Sequence, residues 1–195
     1  MIRQFFHDYS CDLSKALAGV SLDRFEEFAL LLEAAYFEER QVFLMGNGGS
    51  ASTASHIACD LNKSLSFGKQ KRFRAICLND NLPMLMAYAN DFSYEDVFVE
   101  PLKNFLRAGD LVVALSGSGN SPNVLKAIEY ANSHGAHTVG LSGFDGGKLA
   151  GMAQTAIVAP VHDMQKAEDA HLILFHAVFQ ILRARINEAK HSASQ

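Results

Sequence analysis

A chain of 195 residues is long enough to bury a full hydrophobic core and fits one domain with embellishments. Seventeen basic against 21 acidic residues leave a net charge of −4, and without a clustered basic stripe this balance speaks against a nucleic-acid surface. Lys69, Lys71, Arg72 and Arg74 read instead as a solvated connector beside a strand. No charged segment followed by an apolar one opens the chain, and no uninterrupted apolar run approaches the roughly 20 residues a bilayer span needs, so the expectation is a cytoplasmic protein with no membrane partner. Cys11, Cys59 and Cys77 are odd in number and lack C-x-x-C spacing, which predicts reduced thiols in or near the core.

The first forty residues predict two helices, one striped by Ile2, Phe5, Phe6, Tyr9, Leu13 and Leu17, the other by Phe25, Phe28, Leu31, Leu32 and Ala35. Asp23 with Glu26 forms a candidate capping box for the second, with 21–22 an equal starting point. Short apolar runs then alternate with helical stretches. Strands are predicted at Val42–Met45, Phe73–Leu78, Leu111–Leu115, Thr138–Leu141 and Thr155–Ala159, and helices at 50–66, 82–89, 94–107, 121–134 and about 164–189, with a frayed tail over 191–195. Continuous rather than alternating runs suit strands buried on both faces, so the expected fold is α/β, a three-layer sandwich around a parallel sheet. Ser121 followed by Pro122 makes the firmest helix start, since proline gives up no bonded N–H at the first helical position.

Two loops fall where ligands sit in such a sheet, beyond the carboxyl ends of strands. Gly46-Asn47-Gly48-Gly49-Ser50 follows the first strand, and Ser116-Gly117-Ser118-Gly119-Asn120-Ser121 the third. Glycines let backbone amides close on an anion, and serine hydroxyls add rotatable donors. Either loop alone could be only a tight turn; two on strands that can be neighbours point to a phosphorylated small molecule. Gly46-x-Gly48-x-x-Ala51 also matches a relaxed dinucleotide fingerprint, but the acid that fold needs, here Asp80, comes more than thirty residues after Gly46 instead of about twenty. A nucleotide P-loop is excluded by the lack of a Gly-Lys-Ser/Thr ending.

His56 and Asp60 lie four apart on the helix opened by the first loop, so they share a face. Glu168, Asp169, His171 and His176 cluster on the last helix, with Asp169 and His176 on one face and Glu168 about 80° round from His176. Two helices each bringing carboxylate and imidazole could build a zinc site or an acid/base pair, or be ordinary surface hydrogen bonds.

These blocks together, GNGGSxxxxxH at 46–56, AND at 89–91, SGSGNSPNV at 116–124, LSGFDGGK at 141–148 and EDAHLILFH at 168–176, resemble the sugar-isomerase (SIS) family and its phosphoheptose isomerase subgroup over nearly the whole chain. The resemblance implies a single SIS domain over 1–195, with a helical pair to residue 39 and a flavodoxin-like core with five parallel strands over 40–190. It also implies a homotetramer with sites lined by more than one subunit. By position it places substrate and phosphate contacts on Asn47, Gly48, Gly49, Ser50, Asn90, Asp91, Ser116, Gly117, Ser118, Ser121 and Glu168, and zinc ligands on His56, Asp60, Glu168 and His176.

The resemblance further implies zinc-assisted aldose–ketose isomerisation of sedoheptulose 7-phosphate through an enediol, with Asp60 as base, His176 as acid and Glu168 as the alternative base. Three positions depart from the family pattern. Asp60 stands where a glutamate is usual, Glu168 where a glutamine is usual, and Ser116-Gly117-Ser118 replaces a serine-threonine-serine run. The shorter Asp60 arm calls for a shift of helix or substrate. The competing expectation is a non-catalytic SIS tetramer that binds a sugar phosphate or a replication-initiator protein.

Overall fold

A computed structural model describes residues 1–192, and five of its segments are extended: β1 (Gln41–Gly46), β2 (Arg74–Cys77), β3 (Leu111–Ser116), β4 (His137–Ser142) and β5 (Thr155–Val158). They form one parallel sheet in the order β2-β1-β3-β4-β5, the flavodoxin-like order, whose switch point lies between β1 and β3. Gly46 pairs with Leu115 in register, so the loops after β1 and β3 leave the sheet side by side.

Strand residues alternate between two cores. Val42, Leu44, Leu111, Val113 and Leu115 face a cluster that includes Phe28 and Leu32 of α2 (Leu22–Phe37), Ile57 of α3 (Gly49–Cys59), and Phe175 and Leu182 of α8 (Met164–Ser192). Phe43, Met45, Val112 and Ala114 face the other, with Leu102 of α5 (Val99–Phe105), Ile128 of α6 (Pro122–Ser133) and Leu149 of α7 (Gly147–Met152). Burial on both faces explains why the strands read as unbroken apolar runs.

α1 (Ile2–Ala18) lies against α8 and is pinned there by polar bonds. Tyr9 Oη donates to Asp169 at 2.6 Å and Lys166 Nζ to Asp12 at 3.0 Å. The hydrogen bond to Asp169 pushes the Tyr9 phenol up to about 12, with burial adding to it. Ile2, Phe5 and Phe6 remain exposed. So does α4 (Leu82–Asp91), which has no buried residue although it carries Leu82 and Met86.

Of the two starts the sequence leaves open for α2, the structure takes the one at 21–22, with Ser21 as the cap, its hydroxyl accepting from the Arg24 amide. Elsewhere the elements differ from the sequence reading. The helix predicted over 50–66 ends at Cys59 and passes into a wide π turn over Asp60–Ser64, closed by Leu65 N donating to Asp60 O at 3.1 Å. From that turn Asn62 bridges the outward N–H and C=O of Ala75 at 3.0 and 2.8 Å, blunting the β2 edge. The helix predicted over 94–107 is broken, a 3₁₀ turn over Tyr94–Asp96 preceding α5. α8 runs on to Ser192, past the tail expected from 191; residues 193–195 lie outside the described residues. Of the cysteines, Cys77 is buried, its thiol pushed up to about 12 by desolvation, whereas Cys59 is exposed.

Candidate functional site

Both Gly/Ser loops open helices at the carboxyl end of the sheet. The first runs into α3 with Gly48 at its N-cap, the second into α6 with Ser121 at its N-cap. A helix start leaves backbone amides without partners and a positive dipole end, which suits an anion. Ser121 does not spend its hydroxyl on its own helix; Oγ lies 3.1 Å from Ser116 Oγ, so both hydroxyls stay within the loop. Ser118 Oγ accepts from the Asn120 amide at 3.3 Å and keeps its own proton to donate.

The second loop is held from behind by residues 143–149. Gly143 N donates to Gly117 O at 2.8 Å, Leu149 N to Gly119 O at 2.9 Å and Lys148 N to Asn120 Oδ1 at 3.2 Å. The two backbones pass so close that only glycine fits at 119 and 147. Both have positive φ, +66° and +58°, and a Cβ at 147 would come within 2.5 Å of Ser118 O. α7 and this buttress were not assigned as an element from the sequence; the paired glycines at 146–147 were the available signal.

A reciprocal amide pair joins the two loops. Asn47 Nδ2 donates to Asn123 Oδ1 at 3.0 Å, Asn123 Nδ2 donates to Asn47 Oδ1 at 2.9 Å, and Tyr94 Oη donates to the same Asn47 oxygen at 2.9 Å. Asn79, after β2, brackets the end of β1 through Gly46 O and N at 2.8 and 3.3 Å. Sequence reasoning found Asn47 and missed Asn79, Tyr94 and Asn123. The signal for Asn123 was its place on the inward stripe with Val124, Ala127, Ile128 and Ala131, where a polar residue needs a buried partner.

α3 and α8 carry the imidazoles and carboxylates. His56 Nε2 lies 3.0 Å from His176 Nε2, and Asp60 Oδ2 lies 3.4 Å from the first ring and 4.0 Å from the second. Asp60 sits at the first residue of the π turn, where the helix widens, and its Oδ1 accepts from Ser64 at 3.4 Å. A tetrahedral ion with bonds of about 2.1 Å holds neighbouring donors about 3.4 Å apart. The three separations bracket that edge, and His, His and carboxylate together fit a divalent metal.

Glu168 is not in this trio. Its carboxylate lies against the first loop, where a Cβ added to Gly49 would come within 2.6 Å of its carboxyl carbon. α3 and α8 therefore meet at two levels, Gly49 with Glu168 and His56 with His176, about 10–12 Å apart by seven or eight residues of helical rise. Asn90 and Asp91 are exposed at the end of α4, where Asn90 Nδ2 donates to Asp91 Oδ1 at 2.8 Å. His171, one turn beyond Glu168, is buried, and among the described residues neither its ring nitrogens nor Ser142 Oγ has a hydrogen-bond partner. Burial pushes the imidazole down to about 4, with the Ser142 backbone opposing it, and His171 is not among the residues whose ligand atoms converge at the trio.

His56 and His176 are about half exposed, at 49% and 48% of their side chains. A groove of about 650 Å³ at the β2 edge, bordered by Ser55, Cys59, Asn62 and Asp80, shares no residue with the loops or the trio. Chemistry and not concavity marks the site.

A family model described as SIS domain matches residues 5–143. A phosphoheptose isomerase of Sulfurimonas denitrificans is 34% identical over 165 residues, spanning 85% of this chain and 84% of the relative. One from Helicobacter pylori is 34% identical over 176 residues, spanning 90% of this chain and 91% of the relative. Among solved structures, the phosphoheptose isomerase GmhA of Neisseria gonorrhoeae superimposes with a TM-score of 0.84 at 27% identity, over 94% of this chain and 97% of its own.

Proposed function

The chain belongs to the SIS domain family and, within it, to the phosphoheptose isomerases, and from that premise we propose that it interconverts sedoheptulose 7-phosphate and the corresponding aldose 7-phosphate. The observation that carries the proposal is the His56–Asp60–His176 trio, in which His56 lies on the helix that the first anion-ready loop opens, Asp60 on the π turn that ends it, and His176 on α8. In this reading the phosphate binds Ser116, Ser118 and Ser121, with the amides of residues 47–50 and the side chains of Asn90 and Asp91 holding the rest of an extended sugar.

The chemistry is a proton shuttle with no net redox change. Asp60 removes a proton from the hydroxymethyl carbon beside the ketone, the electron pair forms the carbon–carbon double bond of an enediol, and His176 supplies a proton to the carbonyl oxygen. Returning the proton to the neighbouring carbon, with loss of the other hydroxyl proton, gives the aldehyde. Glu168, outside the trio and beside the first loop, is the second candidate for base. His56, Asp60 and His176, with Glu168 if it swings in, would hold a zinc ion, which when bound stabilises negative charge at the reacting oxygen. The test is incubation with sedoheptulose 7-phosphate, before and after chelation, followed by NMR. Appearance of the aldose and its loss on metal removal support the reading, and an unchanged ketose sinks it.

A second copy closing over each site is part of the same proposal. Half-exposed histidines make a poorly shielded centre, and Ile2, Phe5, Phe6, Leu82, Met86 and Phe92 leave more apolar surface open than a lone soluble chain usually carries. A homotetramer of this chain covers them. Light scattering that returns a monomer at micromolar concentration would refute it.

A further inference from the structure

Asn47 can face a ligand in only one way, and a backbone amide decides which. Val124 N donates to Asn123 Oδ1 at 2.9 Å, and a backbone N–H can do nothing but donate, so the oxygen end of the buried Asn123 amide is fixed. Its Nδ2 must then point to Asn47, which makes the Asn47 atom it meets, at 2.9 Å, the oxygen. The Tyr94 hydroxyl, 2.9 Å from that oxygen, is thereby forced to donate. Both lone pairs of Asn47 Oδ1 are taken, by Asn123 and Tyr94, while Nδ2 gives one proton to Asn123 and has one left.

We propose that Asn123 and Tyr94 are positioning residues that fix Asn47 as a single hydrogen-bond donor at the mouth of the first loop, so that this point of the site selects a ligand oxygen able to accept, a carbonyl or phosphoryl oxygen. The inference deepens the phosphosugar reading and rests on it for the ligand, not for the relay. The aromatic ring of Tyr94, exposed on the turn after α4, then stands at the rim of the loop and couples the segment carrying Asn90 and Asp91 to Asn47.

The test is a double-mutant cycle read as affinity for sedoheptulose 7-phosphate by calorimetry and as KM and kcat in turnover. Tyr94→Phe, an exposed change that the fold tolerates, is expected to weaken binding about threefold to tenfold, the net worth of one neutral hydrogen bond, and to act on KM more than on kcat. In an Asn47→Ala background the same change is expected to alter affinity by less than about twofold, because the atom it acts through is gone. Asn123→Asp, which keeps the acceptor for Val124 but loses the donor to Asn47, is expected to follow the same pattern. Equal effects of Tyr94→Phe in both backgrounds, or none in either, overturn the proposal. The ligand-free protein gives a separate readout. Tyr94→Phe should shift the Asn47 side-chain amide resonances, and an unchanged amide spectrum overturns the relay even if the substrate assignment stands. A wild type that does not bind the sugar phosphate removes the substrate reading and leaves the amide shift to decide the relay.

Discussion

Acid should unfold this protein partly through one residue that takes no part in the chemistry. His171 is 1% exposed, has no partner on either ring nitrogen among the described residues, and is pushed from 6.5 down to about 4 by burial. The unfolded chain takes up a proton below 6.5 and the folded chain does not until about 4, so stability is full above 6.5 and falls as pH drops through that window. A gap of about 2.5 units at 1.36 kcal/mol each comes to about 3 kcal/mol over the whole window, and about 2 kcal/mol by pH 5. His171→Leu removes the titration and two unpaired buried polar atoms. It should match or exceed the wild type at pH 7 and lose less stability on acidification. Urea midpoints for both proteins at pH 7, 6, 5 and 4.5, at one protein concentration because association contributes to apparent stability, give the difference directly. Carboxylates common to both proteins cancel. Parallel acid curves would refute the reasoning.

Replacing Ser118 and Ser121 together by Ala should weaken sugar-phosphate affinity tenfold or more, on the scale of roughly 1.5–3 kcal/mol for each charge-assisted bond; unchanged affinity by calorimetry takes the loop out of the site. Gly119→Ala would drive a methyl group into the Gly146 carbonyl at a φ of +66°, so thermal melts should show a loss of about 2 kcal/mol or more and phosphate binding should suffer with it. A fully stable, fully binding variant would mean that the buttress behind the loop yields. Asp60→Asn should lower kcat by orders of magnitude while Glu168→Gln, outside the trio, is tolerated. The reverse pattern in steady-state kinetics would hand the role of base to Glu168.

The sheet was legible because its strands are buried on both faces and therefore spell unbroken apolar runs, and because Gly46–Ser50 and Ser116–Ser121 mark where two of them end. The three-residue trio was legible in part: the spacing of His56 and Asp60 puts them on one face, but only tertiary packing of α8 on α3 brings His176 within 3.0 Å. Spacing on α8 could not show that Glu168 turns to Gly49, because side-chain direction depends on what the neighbouring helix offers. The broken helix over 94–107 escaped because Ser93 caps a single 3₁₀ turn over Tyr94–Asp96 that ends before α5 begins at Val99, a local choice that periodicity does not register. The π turn at Asp60 is equally silent in sequence. It widens the helix by one residue per turn at the position that carries the Asp60 carboxylate.

Isomerisation of sedoheptulose 7-phosphate in D₂O tests the central claim most directly. If a carboxylate of this site takes the proton and returns one from a pool open to solvent, the aldose formed carries deuterium at the carbon next to the aldehyde, and Asp60→Asn loses product and label together. Aldose without deuterium would contradict a proton pool open to solvent, and no aldose at all, from protein that binds the sugar phosphate, would contradict the isomerase itself.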